Sequence, residues 1–66
     1  MNAQEMFEKL GYFTSVKTSL YLEISSKNNN CINFWLDIKS YDCDESIIDV
    51  ELHKAITQQM KELKWL

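Results

Sequence analysis

The residues with most scope for chemistry in this chain are one histidine, His53, two cysteines, Cys31 and Cys43, and an acidic run of Asp42, Asp44, Glu45, Asp49 and Glu51. Alternate acids such as those of Asp42-Cys43-Asp44-Glu45 open calcium loops. Those loops also need glycine at the sixth position and glutamate at the twelfth, where this chain has Ile47 and His53. A structural zinc site takes four ligands. Cys31, Cys43 and His53 supply three, without a recognised spacing and with the cysteines expected on opposite sheet faces. For catalysis His53 would need an acid or nucleophile within hydrogen-bond reach and a cleft that excludes water, and no nucleophile elbow, phosphate loop or paired-carboxylate motif accompanies it. The expectation is a non-enzymatic protein with no metal and no cofactor, whose acidic run is a solvated turn feeding a helix.

Composition narrows the class further. A chain of 66 residues buries only about 60% of the surface its unfolded form exposes, which points to one core and a single domain over 1-66. Apolar residues make up 45% and the net charge is −3, so the chain can fold and is not of the disordered type. No apolar run approaches the ~20 residues of a membrane span, and Glu5 and Glu8 stand where a signal peptide would be basic. Two cysteines are too few for a secreted disulfide framework. A cytoplasmic location, with no membrane partner, is expected. All seven basic residues are lysines; without arginine the chain lacks the usual bidentate reader of phosphate and guanine.

The elements that must position these residues follow from periodicity. Ala3, Met6, Phe7 and Leu10 have the spacing of one helical stripe, with Asn2 and Glu5 spaced as a capping box and Gly11 as the C-terminal stop. From Val16 the period changes to two: Val16, Thr18, Leu20, Leu22 and Ile24 alternate with polar residues and predict one strand. Ile32, Phe34, Leu36 and Ile38 predict a second. Paired residues must share a sheet face, so a three-residue loop, Asn28 to Asn30, is expected, pairing Ile24 with Phe34, Leu22 with Leu36 and Leu20 with Ile38. A turn at Lys39-Ser40 would start a third strand near Tyr41, pairing Leu36 with Cys43. That register carries Glu45 opposite Phe34, so the strand should end or bulge around Asp44 to Ser46, with Ile47 or Ile48 returning to the core. Leu52, Ala55, Ile56, Gln59, Met60 and Leu63 predict a last helix capped by Asp49. The fold class is α+β, in the order α-β-β-β-α, a three-stranded antiparallel meander with both helices on one face.

The other sheet face is then bare and carries the candidate interaction surface: Tyr21, Glu23, Asn33, Trp35 and Asp37. Trp35 is expected opposite Glu23, with Tyr21 diagonal to it. Such a face is either covered by Lys and Glu stems or the chain termini, or it anchors a protein partner or a second copy of the chain. A short, poorly patterned edge strand could also accept a strand from another chain.

The same element order describes double-stranded RNA-binding domains, which meet phosphates with lysines at the start of their second helix. Here that helix opens Asp49-Val50-Glu51 after further acids, which would repel a backbone. The charges thus disfavour nucleic acid as a partner. Single-strand stacking on Tyr21 and Trp35 would still want a basic groove. Two alternatives to a protein-interaction module remain: a nucleic-acid-associated regulator, and an acidic inhibitor of a nucleic-acid-binding protein built on Asp42 to Glu51.

At Glu5 to Tyr12 (EMFEKLGY), Leu52 to Leu66 (LHKAITQQMKELKWL) and the intervening FWLDIK stretch, the chain resembles small proteins encoded in prophages and mobile elements of Gram-positive bacteria. Members of that group tend to end in Leu-Gly-Trp where this chain has Leu63-Lys64-Trp65, which implies a terminal turn closed differently here. The resemblance implies a cytoplasmic accessory protein of phage origin and brings no activity with it.

Overall fold

Asn2 and Asp49 start the two helices as expected. Asn2 Oδ1 accepts from Glu5 N at 2.8 Å while Glu5 Oε1 accepts from Asn2 N at 3.2 Å, a complete capping box. Asp49 Oδ1 accepts from Leu52 N at 2.8 Å. The computed structural model describes every residue except Ser46. Its elements are α1 (Ala3–Lys9), β1 (Tyr12–Lys17), β2 (Tyr21–Ser26), β3 (Cys31–Trp35), β4 (Ser40–Cys43) and α2 (Val50–Glu62). The strands form one antiparallel sheet in the order β1-β2-β3-β4.

The sheet therefore has four strands, not three. The stretch read as one strand from Val16 is a hairpin that folds back at Thr18 to Leu20, where Thr18 N donates to Tyr21 O at 2.8 Å and Thr18 Oγ1 accepts from Leu20 N at 3.2 Å. This turn pairs Lys17 with Leu22 and Val16 with Glu23, which sends Val16 to the face opposite Leu22. A bulge between Thr14 and Val16 then resets the register, so that Thr14 faces Ile24 and Tyr12 returns to the core side. Only Tyr12 of β1 is buried. An edge strand with one buried residue and a bulge shows no alternation, and none was legible.

The β2–β3 hairpin has the expected kind of loop one residue early. Lys27 to Asn29 turn the chain with Asn29 at φ 64°, and Ser26 N donates to Asn30 O at 2.9 Å. The pairs are consequently Ile24 with Ile32 and Leu22 with Phe34, while Tyr21, not Glu23, stands opposite Trp35. β3 ends at Trp35, and Leu36 to Lys39 form a four-residue turn closed by Lys39 at φ 52°. Phe34 then pairs with Tyr41 and Ile32 with Cys43. Leu20 and Ile38, expected as a core pair, are exposed turn residues, and Ile47 and Ile48 are exposed as well. Register explains the first two: each lies beyond the last pair of its strand. β4 ends at Cys43 as expected; Ser46, the last residue of the expected bulge, lies outside the described residues.

The core gathers on one sheet face. Leu22, Ile24, Ile32 and Phe34 of the sheet meet Ala3 and Phe7 of α1 and Leu52, Ala55 and Ile56 of α2 in one buried cluster. The two helices are also tied directly: Glu62 Oε2 accepts from the α1 N-terminal Ala3 N at 2.7 Å. At the end of α2, Lys64 N donates to Lys61 O and Trp65 N to Met60 O, with Lys64 at φ 66°. This is a Schellman closure, the one a glycine would favour, and lysine makes it here. It brings the Trp65 ring to 6.1 Å from that of Phe34, on the core side of the sheet.

Candidate protein-interaction surface

Strand alternation places Tyr21, Glu23, Asn33, Trp35 and Asp42 on the sheet face that the helices leave open. Tyr21 and Trp35 are direct cross-strand neighbours, with ring centroids 4.7 Å apart and planes tilted by 32°. Cross-strand aromatic pairs of this kind contribute roughly 0.2–1 kcal/mol over alanines. Their polar tips join one network. Tyr21 Oη donates to Asn33 Oδ1. Asn33 Nδ2 donates to Asp42 Oδ1 at 2.7 Å, and Trp35 Nε1 donates to Asp42 Oδ2 at 2.9 Å.

Asp42 is thus the hub that holds an asparagine and an indole from the neighbouring strand. These two donors, Asn33 first and Trp35 second, keep its carboxyl below the ordinary 3.8. Partial burial, followed by the negative charge of Glu23, pushes the Tyr21 hydroxyl above its ordinary value. The hydroxyl donates to Asn33, and Glu23 beside it acts both by its charge and as a further acceptor for the same proton. The Glu23 carboxylate forms no ion pair among the described residues.

Of the residues expected on this surface, Tyr21, Glu23, Asn33 and Trp35 are brought together. Asp37 is not: it lies in the exposed turn after β3, beyond the last sheet pair. Three residues escaped the sequence reading. Asp42 was assigned to the acidic run. A signal for its place existed, since the expected register carried Glu45 opposite Phe34, whereas the observed one supplies Tyr41 there. Phe13 and Val16, both exposed on this face, were hidden by the bulge of β1 and the turn that follows it. Trp35 remains 38% exposed even with its indole nitrogen bonded, and Trp65 near the C-terminus packs with the core rather than over it.

No protein-family model matches the chain, and neither the curated proteins nor the solved structures compared with it give a match.

The other chemical residues are dispersed. Cys31 lies on the open face, its sulfur 3.5 Å from Ser25 Oγ, while Cys43 packs toward the core, where burial pushes its thiol up and weakens it as a nucleophile. His53 is on the exposed side of α2, near Lys54, Thr57 and Lys61. No three histidine, cysteine, aspartate or glutamate side chains come together as a metal site among the described residues. Glu45 is committed to structure: its Oε1 accepts from Tyr12 Oη at 2.5 Å and from Asn30 Nδ2 at 2.7 Å. Asp44 Oδ1 accepts from Cys31 N at 2.7 Å. Together they hold the start of the β4–α2 connection against the sheet. No described helix is long and apolar enough to cross a membrane.

Proposed function

We propose that the chain is a small, non-enzymatic, cytoplasmic interaction module of the phage-accessory kind, which binds a protein partner through the open sheet face around Tyr21 and Trp35. The observation that carries this reading is the state of Trp35. Its indole is fixed by Asp42 and stacked against Tyr21, yet more than a third of it is exposed. A rigid, pre-positioned aromatic loses little entropy when a partner covers it, and tryptophan and tyrosine dominate interface energetics for this reason. The flanking carboxylates, Glu23 and Asp42, supply a polar rim. They also favour a protein over nucleic acid, whose phosphates they would repel.

The test compares wild type, Trp35→Ala and a control on the far side, Lys61→Ala, as baits for partner capture, after thermal melting has confirmed that each variant folds. A partner retained by wild type and Lys61→Ala and lost with Trp35→Ala supports the reading. Capture indifferent to Trp35 removes it. Sedimentation over a concentration series separates a homodimer, the competing occupant of the same face, from a foreign partner.

A further inference from the structure

We propose that the segment bound at the open sheet face presents a cationic side chain, guanidinium or ammonium, which lies against the Tyr21–Trp35 pair beside the Glu23 and Asp42 carboxylates. This inference rests on the reading of that face as a protein-docking surface and specifies the chemistry of its occupant.

Charge complementarity carries the choice. The charged side chains at strand positions of this face are Glu23 and Asp42, both negative. The lysines are elsewhere. Lys17 stands opposite Leu22, a core-face position, and Lys27 and Lys39 lie in turns. Lys9, Lys54, Lys61 and Lys64 belong to the helices and their ends. Glu23 is half-buried and, among the described residues, has no cationic partner. Asp42 takes one donor on each oxygen, which leaves a lone pair on each for another. As a carboxyl lowered from an ordinary 3.8, it is ionised at neutral pH. Glu23 and Asp42 flank Asn33 in one row across the sheet, and the next row holds the Tyr21–Trp35 pair, whose exposed ring surface attracts cations, tryptophan most strongly. A second copy docked on the same face would bring four carboxylates together with no lysine at a strand position of that face to offset them, which argues for a foreign, basic occupant.

The experiment follows amide and indole resonances of the intact, ¹⁵N-labelled chain during titration with the blocked peptide Gly-Arg-Gly-Arg-Gly and its lysine and citrulline counterparts. Citrulline keeps the shape of arginine without its charge. The arginine peptide is expected to shift the Trp35 indole and the Tyr21, Glu23 and Asp42 amides saturably, and to bind roughly three- to tenfold more tightly than the citrulline peptide. Glu23→Gln, which removes the charge and keeps the shape and an acceptor oxygen for the neighbouring Tyr21 hydroxyl, should weaken binding roughly two- to fivefold. The lysine arm separates ammonium from guanidinium recognition. Equal affinity for arginine and citrulline peptides overturns the cationic inference and keeps the face as a docking surface. Absence of any shift there with the arginine and lysine peptides overturns it too, while partner capture that still depends on Trp35 would show that the underlying reading survives.

Discussion

Lys64→Gly should stabilise this protein, although it removes a charge from the favourable end of a helix. Lys64 occupies the left-handed region at φ 66° to close α2. That conformation costs an L-residue about 1–2 kcal/mol. Glycine relieves it and gives back about 0.5–1 kcal/mol through the greater freedom of its unfolded chain. Loss of the lysine charge beside the last carbonyls removes about 0.3 kcal/mol more. The balance is a gain of about 0.5 kcal/mol, or roughly 2–4 °C in Tm for a domain of this size. Lys64→Ala is the matched control, because it keeps the strain, loses the charge and should fall slightly below wild type. Urea and thermal unfolding followed by circular dichroism measure all three. A Lys64→Gly variant no more stable than Lys64→Ala would refute the strain argument, and with it the account of how Trp65 is delivered to Phe34.

Three further outcomes follow from single contacts. Glu62→Ala leaves the buried Ala3 N–H without its acceptor and should lower stability by about 1–2 kcal/mol in urea unfolding. Asp42 has a folded pKa below 3.8, so the folded protein binds fewer protons than the unfolded one between those values. Its stabilisation is complete above 3.8 and lost as pH falls through the folded pKa; Asp42→Asn should flatten that part of the acid limb in urea midpoints measured from about pH 5 downward. Tyr12 is shifted the other way, chiefly by burial and then by Glu45, to above its ordinary 10.0, so its contribution is complete below that value and lost as pH rises beyond it. Tyr12→Phe should be less stable at neutral pH and show a shallower alkaline decline by the same measurement.

The parts of the fold that could be read were those where local chemistry and burial agree. Asn2, Glu5, Gly11 and Asp49 are backbone-capping residues whose roles need no tertiary partner, and all four act as their types suggest. The apolar stripes of both helices and the central strands were legible because each buries one face. What failed was connection geometry. Asn29, Lys39 and Lys64 take left-handed conformations. Only the first is of a type that advertises it, and the three consecutive asparagines left its position ambiguous by one residue. The turn at Thr18 to Leu20 has no glycine, proline or asparagine to announce it and rests on the weaker signal of a Thr18 hydroxyl that accepts from Leu20 N. The surface was half legible for the same reason: Tyr21, Glu23, Asn33 and Trp35 lie within patterned strands, whereas Asp42, Phe13 and Val16 reach it through turns and a bulge.

Those same irregular connections bear on how the proposed partner would approach. The turn at Thr18 to Leu20 puts Val16 on the open face, and the bulge lets Tyr12 return to the core while Phe13 stays outside, so the open face is more apolar than its alternation suggests. The edges are less inviting. β1 is interrupted by that bulge and ends in Lys17, and β4 offers only Ser40 to Cys43 before Asp44 turns its carboxylate onto Cys31 N. Bulges, charges and shortness are the features by which edge strands resist pairing with another chain. Strand addition could gain few backbone hydrogen bonds at either edge, whereas the face presents an aromatic pair already held in place by Asn33 and Asp42. Recognition through side chains on the face, rather than backbone pairing at the edge, is the route this arrangement favours, and it makes Trp35 and Asp42 the residues on which binding should depend.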